Sequence, residues 1–357
     1  MTAATTPSRT ARSGAARRPH WTGLDGIRGV GALAVVIFHA ALGIAVNGYA
    51  GVDVFFALSG FLITTLLLGE HARNGRVSLA RFYARRVLRL YPALVATCAL
   101  VLGLALVGGA VTTVLPAIGS ALLYVSNWWV YSGGHAPMLE HTWTLAIEEH
   151  FYFAWPLLLM GFLSRRWWAR ALAGGAVLVL VSLLLIPWPA SIEGVRGSYL
   201  RGTPIVWGTL LAVLLRRAPR LFDSRRGTAV VSTAGGLSLA ALLVILTVPV
   251  TLPGRIMGGV TGLPGLLTLP VILAAVRAPT ATTSRALAWT PLVWAGRRSY
   301  GIYLYHFPLL SLLLHHVSLG PGAVRAIAGM VLTLLVAEIS YRYLEMPFLR
   351  LKHRFEA

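Results

Sequence analysis

Cysteine is all but missing from this sequence. Cys98 is the only one in 357 residues, so neither an internal disulfide nor a thiolate metal cluster can form. Set among Ala, Leu and Val, it reads as a small apolar side chain. Charge is scarce too: 12% of the residues are Asp, Glu, Lys or Arg, against roughly 25% in a soluble domain. Acidic residues are the scarcer kind, 11 against 31 Lys and Arg, which leaves a net charge of +20. Lysine occurs once, at Lys352. The first twenty residues lack the apolar core of a signal peptide; rich in Ser, Thr, Ala, Arg and Pro, residues 1–20 read as a disordered basic arm. No internal repeat follows, and no loop is long enough to hold a soluble domain.

What remains is apolar, at 57% of the chain. The apolar runs are continuous over ~17–22 residues and do not alternate, which fits membrane-spanning helices and not a barrel. The expected fold is therefore all-α: a polytopic membrane protein with about ten transmembrane helices around a polar cavity. Candidate spans lie near 27–46, 51–69, 89–108, 143–163, 171–187, 199–215, 228–249, 257–276, 300–318 and 324–344. A shorter piece, 111–126, contains Pro116. Counted as a crossing, it would turn every later basic loop outward. Treated as re-entrant or interfacial, it leaves the loops with Arg73 to Arg86, Arg165 to Arg170, Arg216 to Arg226, Arg297 and Arg298, and Arg350 to Arg354 on one side. The positive-inside rule makes that side the cytoplasm and puts both termini there. The membrane domain runs 21–348, with a basic tail at 349–357. The positive charge thus belongs to loops beside a lipid bilayer, and nucleic acid is not an expected partner.

Within this apolar chain a few polar groups stand out. The stretch "LDGIRGVGALAVVIFHA", 24–40, carries Arg28 and His39 eleven positions apart. Eleven residues turn about 1100° and climb ~16 Å, so both groups share one helix face. With Arg28 at the cytoplasmic edge, His39 is expected near the middle of the ~30 Å hydrocarbon layer. An ionisable group there must face protein or water, and a neutral imidazole there can serve as a general base. The plainer alternatives are a headgroup anchor for Arg28, paired with Asp25, and a helix-to-helix hydrogen bond for His39.

Three further segments carry polar groups. In "RFYARRVLRLYP", 81–92, Arg86 and Arg89 share a face, and with Arg85 they offer an anion site suited to phosphates, or headgroup contacts. In "HTWTLAIEEHFYFAWP", 141–156, Glu148 and Glu149 point ~100° apart, so one lines a cavity and the other pairs elsewhere. In "GVDVFFALSGFLIT", 51–64, Asp53 opens a span, and Ser59 and Gly60 are small residues suited to close helix packing. His39, His141 and Glu148 lack the ligand spacing of a helical His-Glu-x-x-His site, so no metal is expected.

Together with "GRRSYGIYLYHFPLL" (296–310) and "YRYLEMPF" (341–348), these segments resemble the acyltransferase 3 family of multi-pass bacterial membrane O-acyltransferases. The likeness covers about residues 22 to 348 and includes the first-span pattern of Arg or Lys, ten residues, then His. It implies a bacterial plasma-membrane enzyme that moves an acyl group, usually acetyl, from cytosolic acyl-CoA to a hydroxyl of a sugar, cell-envelope glycan or secondary metabolite such as a macrolide. On this resemblance His39, Glu148 and Arg28 are the expected catalytic residues. Arg85, Arg86 and Arg89 are expected at the CoA, and Asp25, Asp53, Trp143, Thr144 and His306 at the substrate. Thr144 stands where the family usually has Ser, and His150 where Gln is common, which bears on acceptor preference more than on chemistry. The SGNH-type hydrolase domain of many longer members does not follow the last span in this sequence. The acceptor is expected against 127–142 and 188–198, where Trp128, Trp129, Tyr131 and Trp188 can stack on it or form an interfacial belt. The rival class is a proton-coupled transporter or flippase with His39 and Glu148 as relay. Residues 27–187 and 199–344 do not show the paired halves common in carriers.

Overall fold

The computed structural model describes residues 21–164, 201–249, 262–316 and 321–351, together with positions 166, 167, 170, 174 and 177. The arm at 1–20, the span expected at 171–187, Trp188 and most of the tail lie outside the described residues. Every regular element among the described residues is a helix. In chain order they are α1 (Thr22–His39), α2 (Gly51–Asn74), α3 (Leu79–Gly108), α4 (Val111–Leu122), α5 (Ser126–Tyr131), α6 (Trp143–Leu163) and α7 (Thr203–Arg217). There follow α8 (Arg225–Thr247), α9 (Leu263–Arg277), α10 (Thr282–Leu287), α11 (Thr290–Arg297), α12 (Ser299–Ser311), α13 (Gly322–Ile339) and α14 (Met346–Leu351).

Five stretches are long and apolar enough to cross a membrane: Thr22–His39, Gly48–Asn74, Leu79–Gly108, Arg225–Thr247 and Gly322–Leu351. They coincide with five of the ten expected spans. Helix α6 matches the expected 143–163 in length, but α7 and α9 have only 15 residues each. Helix α12 continues through a π-helical turn, Leu312–His316. The piece at 111–126 folds as α4, whose 12 residues reach only ~18 Å, too short for a crossing.

Helix α1 is the axis of the fold. Leu24, Ile27 and Ala34 pack with residues of α2, α7, α8 and α9. Val35 joins a second core with α3, α4 and α6, and Ala32 and Val36 a third with α12 and α13. A helix packed on every side has no lipid-facing stripe to fill, which is why its sequence is apolar all round apart from its functional groups. Close approach comes from small residues. A Cβ on Gly60 would stand 1.9 Å from the Ile205 carbonyl oxygen, and one on Gly208 1.9 Å from that of Ala57, so α2 and α7 meet backbone to backbone. Gly26 and Gly296 let α1 meet α10 and α11 in the same way. By contrast α13, with Val324, Ile327, Val331 and Leu335 all exposed, presents an outer apolar face.

One boundary changes the reading of the site. Helix α1 ends at His39 and does not run on to 46, because Ala41 and Gly43 adopt left-handed φ of 54° and 72° that stop the helix. His39 is therefore the last residue of its helix.

Candidate active site

Four cavities lie along α1, and neighbouring ones share lining residues. The central one is lined by Arg28 of α1, Ser59 of α2, Arg86 and Arg89 of α3, Glu148 and Tyr152 of α6, and Tyr300 and Tyr303 of α12, among others. Two more open at the N-terminal end of α1. One holds ≈ 420 Å³ between α1, α2 and α3; the other holds ≈ 310 Å³ between α1, α11, α12 and α14. Arg28 and Arg89 line all three. The fourth, ≈ 170 Å³, lies at the C-terminal end of α1 and is lined by His39, Tyr49, Glu140, His141, Trp143 and Arg201. It shares Val52, Thr144 and Tyr303 with the central cavity.

The three arginines are not equivalent. Arg86 bonds Glu149 at 3.2 Å and places its guanidinium carbon over the Tyr152 ring, 3.4 Å from its centroid. Arg28 and Arg89 make no hydrogen bond or ion pair with any described residue. Two unpaired guanidiniums, each with five donors, face the same space, and that is an anion site. Arg85 is elsewhere: it bonds Glu70 at 3.2 Å, which also accepts from the Ser78 backbone at 2.8 Å and so ties α2 to α3. The adjacent acids diverge as their spacing demands. Glu148 accepts from both Ser59 and Tyr152 in the central cavity, while Glu149 pairs with Arg86.

At the other end, His39 Nδ1 lies 2.9 Å from the Val35 carbonyl. A carbonyl can only accept, so Nδ1 carries the proton and donates. A neutral ring then has its lone pair on Nε2, which has no partner among the described residues. The ring packs against His306 and Phe307, at centroid distances of 5.0 Å and 5.3 Å. His141 in turn lies 5.2 Å from His306 and donates through Nε2 to the Leu304 carbonyl at 3.2 Å. Among the described residues, no group of three His, Cys, Asp or Glu is placed to hold a metal ion.

The expected substrate residues separate. Trp143 and Thr144 line the His39 cavity, with Thr144 bonded to the Tyr303 hydroxyl at 2.7 Å. His306 is fully buried behind His39 and lines none of the four cavities. Asp53 is buried beneath Arg201 at 3.6 Å. Asp25 pairs with Arg297 at 3.4 Å, across the chain and not with Arg28, at the opposite end of α1 from His39. Sequence reasoning missed Arg201, which also sits 5.4 Å from the Tyr49 ring and 5.6 Å from that of Trp143. It missed Tyr152, Tyr300 and Tyr303 as well. The one available signal was a lone arginine, Arg201, at the head of an apolar run.

A family model described as an acyltransferase domain matches residues 21–342. OatA of Listeria monocytogenes, named a peptidoglycan O-acetyltransferase, is 30% identical, over 92% of this chain and 56% of its own length. YrhL of Bacillus subtilis, provisionally named a peptidoglycan O-acetyltransferase, is 32% identical over 91% of this chain and 54% of its own. A Staphylococcus aureus protein provisionally named an O-acetyltransferase is 32% identical over 91% of this chain and 57% of its own. The chain thus spans a little over half the length of the curated relatives it matches. No solved structure matches.

Proposed function

The chain belongs to the acyltransferase family whose model spans residues 21–342, and from that premise we propose that it is a membrane O-acyltransferase. It transfers an acyl group, acetyl foremost, from cytosolic acyl-CoA to a hydroxyl of a cell-envelope glycan. The observation that carries this reading is a row of cavities along α1 whose neighbours share lining residues. Two unpaired guanidiniums, Arg28 and Arg89, stand at one end, and the free ring nitrogen of His39 stands at the other. The donor's phosphates sit on Arg28 and Arg89, where paired donors match phosphate oxygens. Arg86, committed to Glu149, supports the wall instead. The ~16 Å of helix between Arg28 and His39 is spanned by the pantetheine arm. The glycan enters from the side of Glu140, Trp143 and Arg201. A glycan acceptor agrees with the names of two relatives, OatA, named a peptidoglycan O-acetyltransferase, and YrhL, provisionally so named.

The chemistry balances on one imidazole. The acceptor hydroxyl gives its proton to His39 Nε2 as its oxygen attacks the thioester carbonyl. The new C–O bond forms, the C–S bond breaks, and the departing CoA thiolate takes the proton back from the imidazolium. General-base assistance of this kind is worth ~10²–10⁴-fold in rate. The test is transfer from labelled acetyl-CoA to a muropeptide by the purified protein in detergent, where no gradient exists. Arg28→Ala with Arg89→Ala is expected to raise the KM for acetyl-CoA while the KM for acceptor holds. An unchanged donor KM would mean that these arginines only orient the protein in the membrane, and no transfer by the wild type would return the chain to the transporter class.

A further inference from the structure

The segment "YRYLEMPF" finds no role in the chemistry above, yet it contributes a buried acid to the ≈ 310 Å³ cavity at the mouth. Glu345 ends a π-helical turn, Ser340–Glu345, that carries its carboxylate inward from the end of α13. π-helical turns are rare and gather at functional positions. Tyr305 donates to Ser340 Oγ at 3.0 Å, and Ser340 passes its own proton to Glu345 Oε1 at 3.3 Å. That hydroxyl chain orients the carboxylate through one oxygen and leaves Oε2 with no partner among the described residues. Gly301 gives the acid its room, since a Cβ there would stand 3.0 Å from Oε1.

The chemistry of this cavity changes across its width. Arg28 and Arg89 make one side cationic, Arg297 is held on Asp25, Tyr300 and Tyr341 supply aromatic surface, and Glu345 supplies an acceptor. Phosphate is favoured at the arginines and repelled at the carboxylate, while a neutral amine on a flat ring suits the acid and the tyrosines. The larger cavity beside it combines Leu24, Leu62, Ile63 and Leu66 with Trp21, Arg73, Arg86 and Tyr152, and the one acid in its lining, Asp25, is already paired with Arg297. Resting on the acyl-CoA reading, we propose that the cavity beside Glu345 seats the adenine end of the donor, with Glu345 accepting hydrogen bonds from the exocyclic amine. The phosphates then fall on Arg28 and Arg89, and the pantetheine arm enters the central cavity, which shares Arg28, Arg89, Ser299 and Tyr300 with this one.

The test compares three donors on the full-length protein in detergent: acetyl-CoA, acetyl-phosphopantetheine, and an acetyl-CoA whose adenine amine is blocked by an etheno bridge. Wild type is expected to prefer acetyl-CoA over both. Glu345→Ala is expected to shrink those preferences by about tenfold or more in kcat/KM, the scale of a lost hydrogen bond to a charged group. Glu345→Gln, which keeps one acceptor oxygen, is expected to restore part of the preference. A wild type that uses the etheno donor as well as acetyl-CoA overturns the proposal without any variant, and so does a Glu345→Ala loss that is equal for all three donors. A wild type that uses no acyl-CoA at all overturns the proposed function itself, so the two failures are distinguishable.

Discussion

At His39 a single hydrogen bond decides which nitrogen can react. With Nδ1 held on the Val35 carbonyl, only Nε2 can take a proton. His39→Ala is expected to lower kcat by ~10²–10⁴-fold and to leave the KM for acetyl-CoA within a factor of two or so of wild type. A kinetic split in which KM rises and kcat holds would make the ring a packing residue. The arginines divide at the same scale. Arg86→Ala leaves the half-buried Glu149 without its ion-pair partner, so its expected effect is a lower melting point in detergent. Arg89→Ala breaks no ion pair and is expected to raise donor KM with little loss of stability. Equal effects of the two on KM would erase the distinction. The spacing of Arg28 and His39 and the divergence of Glu148 and Glu149 were legible in the sequence, because helix geometry alone implies them. The pairing of Arg86 with Glu149, of Asp53 with Arg201 and of Asp25 with Arg297 was not, because each joins residues far apart in the chain.

At the scale of elements, apolar runs located the helices and small residues located their crossings. Gly60, read as a close-packing residue, meets the backbone of α7. Gly60→Ala forces a methyl into a carbonyl oxygen and is expected to cost ~1–3 kcal/mol. Gly103→Ala is the control: it lies mid-helix in α3 with open space where a Cβ would go, and alanine there gains ~1 kcal/mol of helix propensity. Thermal unfolding in detergent is expected to lower the melting point of the first and to hold or raise that of the second; the reverse order would contradict the packing described. Helix ends were less legible than helix middles. Nothing in "HAALGIAV" marks Ala41, which lacks glycine's freedom, as left-handed. The apolar run therefore reads on to 46, whereas the helix closes at His39.

Over the whole molecule, charge and cavity follow the same axis. The arginine-rich loops and the Arg28–Arg89 mouth stand at one end of α1, with His39, Trp143 and Arg201 at the other. Sidedness can be read with one cysteine at a time, since Cys98 is buried and the only native thiol to remove. In a Cys98→Ala background, an impermeant maleimide added to intact cells is expected to label Ser132→Cys and to spare Arg220→Cys, both exposed positions. Labelling of Arg220→Cys alone would invert the topology. Passage of the acyl group from one face to the other is measured as transfer across sealed inside-out vesicles, with labelled acetyl-CoA added to the outer medium, the original cytoplasmic face. With wild type, label is expected on a glycan acceptor enclosed in the lumen; with His39→Ala, or with Arg28→Ala plus Arg89→Ala, none is expected. Transfer that persists in His39→Ala, or that occurs only when acetyl-CoA is sealed inside with the acceptor, would contradict this expectation.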